Sequence, residues 1–271
     1  MPELPEIYNL AMQMNKELQG KTIADIDIVQ EKCLNVNSGE FKELLTGQSI
    51  GETQSRGKWI FTAAGKDTTL LLNLGMGGDV LYHKPGSETE GKYKLKFKYT
   101  DGTALSINFW WFGYVHIVKN NEIKSHKMTS TLGISPVEPE FTSDYFKKLL
   151  TGKKCSLKTL LLDQKTIAGI GNVYAQDILF TARLHPERKV HQLSDDETER
   201  LYKAIVDNLH FAAAHGGLKF EKDLYGNSGG IESFLVGYKE GQPCPVCKTS
   251  IEKIKTGSTA SYICPNCQRQ E

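Results

Sequence analysis

Two pairs, Cys244-Pro245-Val246-Cys247 and Cys264-Pro265-Asn266-Cys267, stand 16 residues apart and constrain this chain more than any other feature. Each Cys-x-x-Cys turn aims two thiolates at one point. Two such turns at the ends of a β-hairpin complete a sulfur tetrahedron around zinc, with Zn–S distances of about 2.3 Å. Four protein ligands leave no open position for substrate, so the spacing predicts one structural Zn2+. A redox dithiol pair is the competing reading. Residues 249–263 then form the hairpin, with Lys253 and Lys255 on one strand face. Such a hairpin either caps a fold or enters a nucleic-acid groove, and spacing alone leaves both open. Cys33 and Cys155 stand apart and read as buried apolar thiols.

The rest of the chain is ordinary globular material. Of its 271 residues 39% are hydrophobic and 24% charged, which excludes extensive disorder, and the length allows one to three compact units. No run of about 18 apolar residues occurs, and no basic start leads into an apolar stretch. The expectation is an intracellular protein with no membrane partner. A net charge of +1 conceals an asymmetry: residues 1–145 carry 15 Lys and Arg against 18 Asp and Glu, a balance of −3, while residues 146–271 carry 18 against 14, a balance of +4. That is a weak footprint for phosphate binding in the second half.

Residues 5–19 place Ile7, Leu10, Ala11, Met14 and Leu18 on one helical face, with Pro5 suited to a first turn and Gly20 to a stop. From 22 to 132 the pattern changes to short β-type runs at 59–63, 69–74, 92–99 and 104–109, which predicts a β-sandwich or barrel. Strict alternation over 92–99 sets four lysines on one strand face, either solvated or facing DNA. After Pro136 and Pro139 the period turns helical at 142–151, 156–163, 173–182 and 195–215. Between the second and third of these lies a two-glycine turn, 164–172. It reads as a helix–turn–helix whose turn offers backbone amides to a phosphate, or as a plain connector. Residues 216–242 are glycine-rich and lack a period, a sign of a functional or mobile loop.

Met1-Pro2 carries a chemical possibility. Removal of Met1 makes Pro2 a free secondary amine titrating near about 8, so a useful fraction is unprotonated at neutral pH. Such an amine attacking a sugar C1′ gives an iminium directly and opens the way to elimination, with Glu3 placed to act as general acid or base. A Met-Pro start is common, and by itself says nothing of catalysis.

Taken together, the blocks stop being independent. Pro2-Glu3-Leu4-Pro5-Glu6, Arg56-Gly57-Lys58-Trp59, Leu74-Gly75-Met76-Gly77-Gly78, Phe112-Gly113, Ile167 through Tyr174 and the cysteine hairpin occur in an order and spacing that resembles the formamidopyrimidine-DNA glycosylase and endonuclease VIII family over nearly the whole chain. The resemblance implies an α+β multidomain fold: an N-terminal β-sandwich with an N-terminal helix over 1–134, a helix-two-turn-helix domain over 135–235, and a zinc hairpin over 236–271. Damaged double-stranded DNA would lie in the cleft between the halves. By the same resemblance Pro2 is the nucleophile, Glu3 the acid/base, Lys58 and Asn172 contact phosphate, Met76 fills the gap left by the flipped base, and the 216–233 stretch closes over that base.

Two departures bear on specificity. The family's Asp-Pro-Arg-Arg-Phe-Gly block, whose Arg reads the orphaned base, appears here as Asn108-Phe109-Trp110-Trp111-Phe112-Gly113. Arginine's bidentate donors are absent, although Trp110 or Trp111 can wedge into the stack, with Phe112 a further DNA-binding candidate; alternatively one tryptophan packs in the core. The family's phosphate-gripping Arg, five residues before the third cysteine, is Thr259. Lys253 or Lys255 could substitute in part, as point charges without the planar fork.

The expected activity is therefore that of a bifunctional glycosylase and abasic-site lyase of base excision repair. It would remove oxidised bases of the formamidopyrimidine or 8-oxoguanine type through a Pro2 Schiff base with β,δ-elimination, as a monomer in the bacterial cytoplasm or nucleoid. The alternatives are a non-catalytic damaged-DNA-binding protein and, more remotely, a zinc-ribbon RNA binder.

Overall fold

The computed structural model describes residues 1–87 and 92–270. The chain parts into two compact units, one of Met1–Thr131 with Gly216–Gly230, the other of Leu132–His215 with Ile231–Glu271. The 216–230 segment thus groups with the N-terminal unit, although in the chain it follows the helices of the second.

In the first unit, α1 (Leu4–Leu18) forms where the period demanded it and buries Leu4, Ile7, Leu10, Ala11, Met14 and Leu18. Two four-stranded antiparallel sheets follow. One has the order β1 (Ile23–Ile28), β6 (Leu95–Tyr99), β7 (Ala104–Asn108), β5 (Asp79–His83). The other runs β2 (Ile50–Arg56), β3 (Trp59–Ala64), β4 (Thr68–Asn73), β8 (Tyr114–Lys119). Alternation decides the faces: Leu95, Phe97 and Tyr99 turn inward while Lys96 and Lys98 turn out. Ile26, Phe97 and Ile107 from one sheet, Ile60, Leu72 and Val115 from the other, and the α1 stripe merge into one core. Each such side chain contributes about 1.5–3 kcal/mol through burial.

Two expectations change here. The alternating run is a strand only from Leu95, and Lys98 is neutralised by Asp25 and Asp27 of β1, at 3.2 and 2.9 Å, so the four lysines do not form one row facing a ligand. A helix, α2 (Ser38–Leu45), interrupts the stretch read as all β; it is capped by Asn37 and anchored by Phe41 and Leu45. Beside β8, Trp59 stacks on Tyr114, and His116 Nδ1 lies 3.0 Å from His126 Nε2.

The second unit holds α3 (Ser143–Leu150), α4 (Leu157–Leu162), α5 (Asn172–Thr181), α6 (Asp195–Ala214) and the hairpin β9 (Glu252–Thr256) and β10 (Thr259–Ile263). Between α4 and α5 the chain makes the double turn. Gln164 fixes it by donating to the Leu162 and Ile170 carbonyls, at 3.0 and 2.7 Å, and accepting from Gly169 N–H at 2.9 Å. Among the described residues no helix is long and apolar enough to cross a membrane.

Candidate functional site

In the first unit, Pro2 and Glu3 are buried at the start of α1. Glu6 organises them: its Oε2 accepts the Glu3 N–H at 2.9 Å and its Oε1 the Leu218 N–H at 3.0 Å. A carboxylate at a helix N-terminus is favoured by the helix dipole and here also ties in the 216–230 segment. Gly217, at φ +84°, permits that approach, since a Cβ would come within 2.5 Å of Glu6 Oε1. Glu221, from the same segment, lies 3.5 Å from the terminal nitrogen of Met1.

A second group forms from three loops. Lys58 occupies the tight turn joining β2 to β3, and its carbonyl accepts from Asn73 Nδ2 at 2.9 Å. The other side-chain atom of Asn73, Oδ1, accepts the Gly75 N–H at 3.0 Å, an Asx turn that shapes the Met76 loop. Met76 in turn pairs with the tryptophan loop: Met76 N–H donates to Trp111 O at 2.8 Å and Trp110 N–H to Met76 O at 2.9 Å. Gly77 lies under Trp110, where a Cβ would meet the indole at 2.6 Å. Phe112 holds φ +58°, a conformation costing a non-glycine residue on the order of 1 kcal/mol.

Trp110, Trp111 and Phe112 are 73%, 67% and 69% exposed and Met76 46%. Neither tryptophan packs in the core, where Phe109 sits instead. This zipped pair of loops therefore presents four large apolar side chains to water, a surface able to cover an apolar partner.

In the second unit, Asn172 opens α5, and its Oδ1 accepts from Thr259 Oγ1 at 3.2 Å and from Gln176 Nε2 at 3.3 Å. Gln176 also accepts from Tyr262 N–H at 3.0 Å, docking β10 on α5. Lys158, on α4, is buried and donates to Thr256 Oγ1 (2.7 Å), Ala260 O (2.7 Å) and Ser261 Oγ (2.8 Å). Burial without a counter-charge brings its pKa down to about 8. Lys253 and Lys255 are exposed on β9, and among the described contacts their ammonium groups do not join the Asn172 network.

The four cysteine sulfurs lie within 4.8 Å of one another, with Cys244–Cys267 at 3.9 Å and Cys247–Cys264 at 3.3 Å. A ZnS4 tetrahedron with bonds of about 2.3 Å requires S···S separations of about 3.8 Å, so this donor set fits zinc. It holds one structural Zn2+.

Sequence reasoning missed Asn73, Lys158, Gln176 and Glu221. Asn73 carried a readable signal, since Asn two residues before Gly predicts an Asx turn. The other three act through tertiary contacts that leave no local pattern.

Comparison with known proteins supplies the remaining link. Residues 1–108 match the formamidopyrimidine-DNA glycosylase N-terminal domain, 132–222 the formamidopyrimidine-DNA glycosylase H2TH domain, and 241–270 the zinc finger found in FPG and IleRS. The formamidopyrimidine-DNA glycosylase of Bacillus cereus is 32% identical over 274 residues, covering 99% of both chains, and that of Ligilactobacillus salivarius is 33% identical over 273 with the same coverage. Among solved structures, Lactococcus lactis Fpg with abasic-site DNA superposes at TM-score 0.88, and with N7-benzyl-Fapy-dG DNA at 0.90; each is 26% identical and covers 99% of this chain and 100% of the other. Three domain matches in order and full-length relatives above 30% identity make this chain a member of the formamidopyrimidine-DNA glycosylase family.

Proposed function

We propose that this protein is a DNA glycosylase and abasic-site lyase of base excision repair, removing oxidised bases of the formamidopyrimidine or 8-oxoguanine type from double-stranded DNA. The observation that carries the reading is the buried start of α1, where Pro2 and Glu3 are fixed by Glu6 beside an additional carboxylate, Glu221.

With Met1 removed, the Pro2 amine attacks C1′ of the flipped nucleotide, and the bond to the base breaks with its electron pair leaving on the base. The nitrogen then gives up its proton and its lone pair opens the C1′–O4′ bond, the ring oxygen leaving as a protonated hydroxyl; the iminium so formed acidifies the C2′ protons, so elimination expels the 3′ phosphate and a second elimination the 5′ phosphate. Glu3 serves as acid and base. Lys58 and Asn172 hold phosphates, Lys253 and Lys255 add positive charge, and Met76, Trp110 and Phe112 fill the stack. Zinc braces the hairpin and takes no part in the reaction. The protein works as a monomer in the bacterial cytoplasm or nucleoid.

Borohydride should freeze a covalent adduct between the mature chain and a duplex carrying one abasic site, and acetylating the Pro2 amine should abolish it. Tight lesion binding with no adduct from protein whose Met1 is verifiably gone would instead establish a non-catalytic damage-binding protein. Thr259 and Trp110, standing where the family pattern has arginines, favour that second reading.

A further inference from the structure

The 216–230 segment is stitched along α1 by one stripe of polar side chains. Glu6 accepts the Leu218 N–H at 3.0 Å, Gln13 accepts the Leu224 N–H at 2.9 Å and donates to Asp223 Oδ2 at 3.2 Å, and Glu17 accepts the Tyr225 hydroxyl at 2.7 Å. Residues 6, 13 and 17 are spaced by seven and four, which is one face of a 3.6-residue helix. Leu224 is fully buried in the core of the first unit, and Tyr82 N–H donates to its carbonyl at 2.9 Å.

Glu221 sits between these anchors with its own backbone held on both sides: its N–H donates to Leu218 O at 2.9 Å and its carbonyl accepts Gly229 N–H at 3.2 Å. Its side chain is 11% exposed, and Oε1 faces the terminal nitrogen of Met1 at 3.5 Å. A carboxylate so placed needs a reason, because folding has carried an acidic group out of water and up to the amine end of the chain.

We propose that Glu221 receives the proton that Pro2 must lose to become a nucleophile, a role that rests on the Pro2 reading above. Removing Met1 withdraws the terminal nitrogen by one residue, at most about 3.8 Å, a distance that rotation of a glutamate side chain spans. The Pro2 ammonium then hands one proton to the Glu221 carboxylate, which becomes a carboxylic acid, while the nitrogen keeps the lone pair; no other reactant enters.

The neighbouring carboxylates are differently committed. Both Glu6 oxygens already accept backbone amides, so protonating Glu6 would break a hydrogen bond. Glu3 is engaged in a reciprocal capping box with Glu6 and is assigned to the later steps. The charged groups facing Glu221 are the terminal ammonium and Glu3; Lys219 and Lys222 flank it in the chain, and Lys222 acts on Asp79. Burial pushes the Glu221 carboxyl above the usual carboxylate range, the ammonium opposes that and Glu3 adds to it. The net result is a stronger base than an exposed glutamate.

The test is the pH profile of borohydride trapping on a duplex with one abasic site, using protein with Met1 verifiably removed. Wild-type protein should show an acidic limb set by Glu221. In Glu221→Gln the trapping rate at pH 7 should fall about a hundredfold, and the limb should move up toward the amine's own pKa of about 8. Glu221→Asp should keep the limb with a smaller loss, and Glu221→Ser gives the uncharged comparison should the Gln protein fail to fold. A Gln profile superimposing on wild type, or lowered equally at every pH, or matched by the Asp variant, overturns the inference. Absence of any wild-type adduct overturns the Pro2 reading itself, and this role falls with it.

Discussion

Thr259 Oγ1 donates to Asn172 Oδ1 across 3.2 Å, tying the β9–β10 turn to the first turn of α5. A hydroxyl thus occupies the place where relatives are expected to carry a guanidinium, and it engages the Asn172 side-chain oxygen, an atom that a phosphate does not use. Thr259→Arg is expected to tighten binding to abasic-site DNA about tenfold and to steepen its salt dependence by about one unit in log K against log salt. Fluorescence anisotropy over a salt series measures both, and an unchanged slope would show that no phosphate lies within reach of residue 259.

Trp110 is held in place by its backbone hydrogen bond to Met76 while its ring stays in solvent. Trp110→Ala should therefore leave the melting temperature unchanged and weaken lesion-duplex binding about tenfold, the worth of one stacked aromatic. Stacking does not distinguish bases, so wild type should bind a given lesion similarly opposite all four partners. Trp110→Arg should introduce a preference. Marked discrimination by wild-type protein would count against this account.

Lys158→Met removes the donor to Thr256, Ala260 and Ser261 and should cost about 2 kcal/mol. Because those acceptors belong to the hairpin, the variant should also release zinc faster to a chelator, read by a colorimetric indicator. Wild-type release kinetics would show that the hairpin stands independently of α4.

His116 is held at a pKa of about 4, below the ordinary 6.5, by burial and by the neighbouring His126. The unfolded chain then binds more protons than the folded one between pH 6.5 and about 4, so stability is complete above that window and declines as pH falls through it. Allowing for its partial exposure, the loss is about 1 kcal/mol. Thermal melts across this range should show the decline, and His116→Gln should flatten it; an identical decline in the variant would assign the effect to other groups.

Legibility in the sequence followed the range of the interaction that fixes each feature. The cysteine pairs were readable because their ligand geometry is set within four residues, and α1 because Ile7, Leu10, Met14 and Leu18 repeat at helical spacing. Helix α2 was lost because eight residues with two core anchors, Phe41 and Leu45, give too short a period amid β-type text. Only the Asn37 cap announced it. Lys158 could not be foreseen, since a lysine on a short helix is ordinarily solvated and its three acceptors lie about a hundred residues away. Likewise the 216–230 segment carries no period, because its order is imposed from outside by Glu6, Gln13 and Glu17.

That stripe leaves α1 with little freedom. One flank of the helix is committed to the core, another to the segment, and Asn15 to the Thr53 N–H at 2.8 Å. Within Leu4–Leu18 only Met12 and Lys16 remain exposed, one turn apart. Diversification of this helix is consequently channelled along a single narrow line of positions, and a saturation library of its fifteen sites should recover functional variants chiefly at these two.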